Sequence, residues 1–172
     1  RIENQVLRSN CGLMDQISVT HSKEGLATLL DFSKMSIESF RMPDDWRFKL
    51  VDTGIRRSLS ETNYSSSEIK IETRRIHAKE ESVRVRAALS SDARVLGTIL
   101  NESHASISDN IRASTPEIDN MVKEIQSTAG VLGARLMGGG FGGMILALVE
   151  EEDTLPGDLL VSSAPAFLQE TL

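Results

Sequence analysis

The 172 residues hold one cysteine, one tryptophan, one tyrosine and four prolines. With Cys11 alone, no internal disulfide can form, which excludes a secreted domain held together by cross-links. No apolar run approaches the length of a bilayer span, and no signal peptide opens the chain, so a membrane partner is not expected. Positive charge is also short. Nineteen Lys and Arg stand against 25 Asp and Glu, for a net charge of −6. The arginines are dispersed rather than striped, which argues against nucleic acid as a partner, because phosphate neutralisation needs a clustered basic face.

What remains is an ordinary globular composition, with 40% hydrophobic and 26% charged residues, enough to bury a core. The length suits one domain or two small lobes, and a cytoplasmic location is expected. The opening "RIENQVL" reads as the tail of a helix already under way, so sequence upstream is expected.

Apolar "LATLLDF" (26–32) and alternating "WRFKLVDT" (46–53) carry strand signals and are expected to be joined through "MPDD" at 42–45. From about Ser67 to Met121 the period turns helical, with Val83, Ala87, Leu89, Val95, Ile99 and Leu100 on helix faces. Asp92 or Ser91 in "SSD" is a plausible N-cap, and "STPEID" (114–119) starts another helix with Pro116 near N1. Then "VLGARLM" and "MILALV" flank the run "GGGFGG" (138–143), a strand, loop and strand pattern. Strands and helices in separate runs predict an α+β fold.

Three features carry chemistry. The glycines Gly138, Gly139, Gly140 and Gly142 could let backbone amides line an anion site, or serve only a tight hairpin that needs positive φ. The run is neither a P-loop nor a dinucleotide fingerprint. Asp15 in "NCGLMDQ" could orient a hydroxyl and take its proton, or simply cap a helix. Glu3, twelve positions earlier, could hold Mg²⁺ beside nucleotide phosphates or be a solvated helix residue. The histidines His21, His77 and His104 lack ligand-type partners at helical spacing and read as structural or surface groups. Cys11 reads as a packed thiol.

Taken together, "ENQVLRSNCGLMDQISV" (3–19), "GLATLLDF", "KLVDTGIRRSLSETNY" (49–64), "ESHASISDN", "TPEID" and "GARLMGGGFGGMILALV" resemble, in order, the galactokinase family of the GHMP small-molecule kinases. The resemblance covers most of residues 1–150. It implies residues 1–64 as the end of an N-terminal lobe with the catalytic aspartate. Residues 65–152 would then form a ferredoxin-like α/β C-terminal lobe, and 153–172 a divergent tail, the whole incomplete at both ends. The implied activity is ATP-dependent phosphorylation of galactose at its anomeric oxygen, by a protein that is monomeric when complete. Asp15 would be the catalytic base, Gly12 and Tyr64 would contact the sugar, and Glu3 would bind Mg²⁺. The glycine loop would support the cleft. The family's sugar signature and phosphate loop would lie upstream of Arg1. Met137 stands where a threonine usually precedes the glycines, and Tyr64 is followed by "SSS" rather than by paired basic residues. A kinase for N-acetylgalactosamine or arabinose, and a catalytically silent sensor, are the alternatives.

Overall fold

The computed structural model describes residues 12–56 and 71–162. The expectations placed on Glu3, Cys11 and Tyr64 lie outside the described residues. The described chain divides into two units, one of residues 12–44 with 161–162 and one of residues 45–56 with 71–160.

The first unit holds helix α1 (Met14–His21) and strands β1 (Leu26–Asp31) and β2 (Ser36–Arg41). The strands pair antiparallel from Leu26 opposite Arg41 to Asp31 opposite Ser36. Their turn is pinned by Asp31, whose Oδ1 accepts the Ser33 amide at 2.9 Å and the Ser33 hydroxyl. These hydrogen bonds hold the Asp31 carboxyl below its ordinary range. Farther along the chain, the Ser162 hydroxyl donates to the carbonyls of Lys23 and Leu26.

The second unit holds β3 (Arg47–Asp52), α2 (Ile71–Ala88), α3 (Ala93–Asp109), α4 (Pro116–Gln126), β4 (Val131–Leu136) and β5 (Met144–Val149). Its sheet runs β3-β5-β4, antiparallel throughout. The expected α+β architecture is present. Its strand pairing differs from the expected one, however. "MPDD" connects β2 to β3, not β1 to β3, and β3 pairs with β5 in the other sheet. The segment Ser36–Arg41 has only Ile37 and Phe40 as apolar residues, three positions apart and not alternating, so its strand signal is weak in sequence.

Central strand β5 is buried on both faces, as its unbroken apolar run requires. Ile145 and Ala147 join Ala134 and Leu136 of β4 against Ile118, Val122 and Ile125 of α4. Leu148 faces the other way, against Ala93, Leu96 and Leu100 of α3, with Phe48, Trp46, Leu132 and Leu146 packed around them. Trp46 and Phe48 meet edge to face with ring centroids 6.3 Å apart, a favoured aromatic geometry. The α3 stripe is therefore Ala93, Leu96, Gly97, Leu100, Ser103, His104 and Ile107. It is rotated from the expected Val95 and Ile99, and Val95 is half exposed. Val83 and Leu89 are exposed as well, and α2 buries no residue fully. Branched apolar residues carried the periodicity signal, whereas the buried stripe of α3 is partly glycine, serine and histidine.

Those small and polar residues are needed because α3 lies along the open edge of β4. A Cβ on Gly133 would stand 2.1 Å from the Gly97 carbonyl oxygen, and one on Gly97 would stand 2.3 Å from the Leu132 oxygen. Helix and strand meet backbone to backbone. The edge amides of β4, which would otherwise invite another strand, are taken up by the helices. Asn101 Oδ1 accepts the Ala134 N–H at 2.9 Å, and Gln126 of α4 donates to the Ala134 carbonyl at 2.9 Å. A register shift between Val131 and Gly133 leaves Leu132 without a paired residue on β5 and free to join the α3 cluster.

Caps set the helix starts. The Asp92 side chain accepts the Val95 amide, and the Thr115 side chain accepts the Ile118 amide with Pro116 next in the chain. Asp45 adds a second acceptor at α3 by taking the Ala93 N–H at 3.1 Å. After β5, Leu155 packs into the α4 cluster. The almost fully buried Lys49 donates from Nζ to the Gly157 carbonyl, and the Leu160 amide donates to Phe48 at 2.8 Å. Residues 155–160 are thus laid against β3, although "LPGDLL" carries little strand pattern. No described helix is long and apolar enough to cross a membrane.

Two substitutions rank these constraints. Gly97→Ala should lower the unfolding free energy by about 3 kcal/mol, because the new methyl meets the Leu132 backbone and no rotamer can relieve it. Asp92→Ala should cost about 1 kcal/mol, the usual loss of an N-cap. Urea denaturation of the two variants beside the parent measures both, and equal costs would refute the backbone-contact account.

Candidate functional site

Asp15 occupies the first turn of α1, but it is not the cap. Leu13 is the N-cap, and no side chain caps the helix. The capping alternative for Asp15 is therefore excluded. The carboxylate is exposed and makes no hydrogen bond or ion pair among the described residues. The helix is closed elsewhere by its own hydroxyls. Ser18 Oγ donates to the Met14 carbonyl at 2.8 Å and Thr20 Oγ1 to the Gln16 carbonyl at 2.7 Å. Gly12, three residues before Asp15, is exposed, and nothing lies within 4 Å of where its Cβ would be. The backbone there is open to close approach. Asp15 and Gly12 belong to the first unit, and the glycine loop belongs to the second.

The glycine loop is held from two sides. The Phe141 amide donates to the Ala113 carbonyl at 2.8 Å, and the Gly143 amide donates to the Ile55 carbonyl at 3.0 Å. Gly143 returns the contact, since its carbonyl accepts both the Thr53 amide and the Thr53 hydroxyl. Gly140 is required twice over. Its φ is +89°, and a Cβ would lie 2.2 Å from the Ala113 oxygen. Phe141 itself sits at φ +60°, a conformation that costs a non-glycine residue roughly 1–2 kcal/mol and that the surrounding hydrogen bonds sustain. The amides of Phe141 and Gly143 are therefore spent on the fold. Those of Gly138, Gly139, Gly140 and Gly142 have no acceptor among the described residues and are the ones a bound anion could meet.

The β3 end of the loop's support carries a charge pair that the sequence pattern did not single out. Arg56 forks onto Asp52, with Nη1 donating to Oδ1 at 2.7 Å, and Asp52 also accepts the Gly54 amide at 2.9 Å. These donors hold the Asp52 carboxyl well below the ordinary carboxylate range. Its only signal in sequence is the aspartate and arginine four positions apart across "DTGIR".

Beneath β4 lies a polar network. Arg135 Nη1 donates to Ser103 Oγ at 2.7 Å, and Ser103 donates to Glu81 Oε2 at 2.8 Å. Burial pulls the Arg135 pKa below its ordinary value, with Glu81 opposing. His77 Nδ1 meets Ser106 Oγ at 2.8 Å, and burial lowers its pKa too. His104, almost fully buried, accepts the Leu136 amide on Nδ1 at 3.4 Å, while its Nε2 faces Asp119 Oδ1 at 3.4 Å. Ser108 donates to the other Asp119 oxygen at 2.7 Å. The structural reading of His104 and His77 from the sequence holds.

A separate open groove of about 430 Å³ lies at the start of α3, between Asp45, Arg47, Asp92, Arg94 and Glu150. Its charges are matched internally, since Arg94 pairs with Glu150 and Arg47 donates to the Glu150 carbonyl at 2.8 Å. Among the described residues, no three His, Cys, Asp or Glu side chains surround a point where a metal could sit.

Residues 85–156 match the family model described as GHMP kinases C terminal. The fold is similar to that of Lactococcus lactis galactokinase solved in complex with galactose, at TM-score 0.75 and 23% identity over 95% of this chain and 57% of that one. It is also similar to L. major mevalonate kinase in complex with R-mevalonate, at TM-score 0.55 and 22% identity, over 75% of this chain and 41% of that one. A further mevalonate kinase matches at TM-score 0.54 and 20% identity, over 68% of this chain and 38% of that one. The chain thus spans little more than half the length of the galactokinase and less of the mevalonate kinases. Residues 85–156 thus match the C-terminal family of the GHMP kinases, and the chain has a fold similar to that of a galactokinase.

Proposed function

We propose that this chain supplies the catalytic aspartate and the C-terminal domain of an ATP-dependent galactokinase. One observation carries the reading. The likeness to the galactose-bound galactokinase runs over 95% of the chain, beyond the 85–156 family match and into the segment that bears Asp15. The mevalonate kinases match over less of the chain and at lower TM-scores, which favours a sugar acceptor.

In this reading Asp15 accepts the proton of the anomeric hydroxyl as the oxygen attacks the γ-phosphorus of ATP, and ADP leaves with the electron pair of the broken P–O bond. An exposed carboxylate with no partner among the described residues suits that task, because a base already committed to a cap would have to break its bonds first. Gly12 offers open backbone for the sugar to approach, and Tyr64 would add a side-chain contact. The amides of Gly138, Gly139, Gly140 and Gly142, which have no acceptor among the described residues, suit a negatively charged group. Phosphoryl transfer asks mainly for positioning and charge stabilisation. The family's Mg²⁺ would fall to Glu3, phosphate oxygens and water.

The test is galactose-dependent ADP formation by the natural full-length product that contains this segment, beside its Asp15→Asn variant. The variant should lose roughly 10²–10⁴-fold in kcat while keeping the parent's circular dichroism. Full turnover in the variant would reject Asp15 as the base. Turnover of N-acetylgalactosamine or arabinose in place of galactose would change the substrate, and sugar binding without ADP would favour a sensor.

A further inference from the structure

The chain of contacts Ser108, Asp119, His104 and Leu136 ends one residue short of the loop that begins after Met137. Each link has a direction. The Leu136 N–H donates to His104 Nδ1, so Nδ1 must carry a lone pair. The proton of the neutral ring then sits on Nε2, which faces Asp119 Oδ1, and the second Asp119 oxygen accepts from Ser108. His104 Nε2 and Asp119 Oδ1 have no hydrogen-bond partner among the described residues, so their 3.4 Å approach is a close polar contact and not a hydrogen bond. The ring therefore bridges α3, α4 and β4 at a single point. Its one hydrogen bond, from the Leu136 amide at 3.4 Å, lies at the weak end of the hydrogen-bond range.

We infer that His104 is a positioning residue for the glycine loop, holding Leu136 through the lone pair of its neutral ring and releasing it when Nδ1 takes a proton. The imidazolium has two N–H donors and no acceptor, so the Leu136 amide would lose its partner and face a donor instead. Leu136 also supplies a fully buried side chain to the α4 cluster, and Met137 behind it anchors the loop's far side through its amide to Met144. A displacement at Leu136 is thus passed to both strands that carry the loop. The neighbours that face the ring are Asp119 from α4, Asp109 on α3 and Arg135 from β4. Burial outweighs the two carboxylates and sets the histidine below its ordinary 6.5.

The sign follows from linkage. An opened state with ordinary histidine binds more protons than the closed one once the pH falls below 6.5. The stabilisation is therefore complete above that pH and declines as the pH drops toward the lower folded value. Any effect on turnover rests on the kinase reading. The hydrogen-exchange measurement does not.

Amide hydrogen exchange of the 172-residue chain between pH 7.5 and pH 5 tests the inference, with protection corrected for the intrinsic pH dependence of exchange. Protection at Leu136 and across 138–143 should fall about tenfold per pH unit below 6.5 and then level off. Protection at Val122 in α4 should change less. His104→Asn, whose Oδ1 can replace the Nδ1 acceptor but cannot titrate, should keep protection at pH 7.5 and lose the pH dependence. Nitrogen chemical shifts of the His104 ring should show the proton on Nε2 at neutral pH. A pH-independent Leu136 in the parent, an undiminished pH dependence in His104→Asn, or an equal fall at Val122 would each overturn the proposal. The last outcome would mean global unfolding rather than local release.

Discussion

The second unit depends on one close approach, that of the α3 backbone to the β4 backbone at Gly97 and Gly133. Two glycines at facing positions let a helix lie along a strand edge without intervening side chains. That brings Asn101 and His104, one and two turns farther along α3, within reach of the Ala134 and Leu136 amides. An edge that would otherwise offer unpaired donors is closed by helix side chains, and the central β5 is left free to bury both faces. A methyl group at either glycine would push α3 away and undo the polar contacts together with the Leu96 and Leu100 packing.

The same arrangement explains why the glycine loop is built as it is. It springs from β4, whose outer edge is fixed by α3, and returns into β5. Between those points, the carbonyls of Ala113 and Ile55 take the Phe141 and Gly143 amides. The loop is therefore a held surface. Its positive-φ residues keep their geometry because hydrogen bonds from two separate segments determine it, and this leaves a specific set of amides without a partner among the described residues. The run is a strained hairpin, as one of the two sequence readings has it, and four of its amides have no acceptor among the described residues.

Charge is distributed according to burial. Glu81, Ser103 and Arg135 form a mostly buried set in which each member has a partner, which a low-dielectric site demands. Asp52 and Arg56 form an exposed fork on the loop's β3 side, where solvent screening limits its contribution to stability. Asp15 is different from both, since it is exposed and unpaired among the described residues.

Much of this could be read from residues alone. The run of glycines between two apolar stretches announced the β4–β5 hairpin, Pro116 with Thr115 announced α4, and the ordered set of motifs pointed to the galactokinase family. Such signals are local, resting on backbone preference and capping chemistry within a few residues. The pairing of β3 with β5 across about one hundred positions could not be read that way, nor could the rotation of the buried face of α3 onto glycine, serine and histidine, nor the freeing of Asp15 from a capping role. Each depends on what lies opposite in space. A glycine has value in a helix only when another backbone approaches it, and a histidine or aspartate gains its role from partners on other elements. The sequence by itself determined the local elements and the family they resemble, and tertiary packing decided which polar groups are spent holding the fold and which have no partner among the described residues.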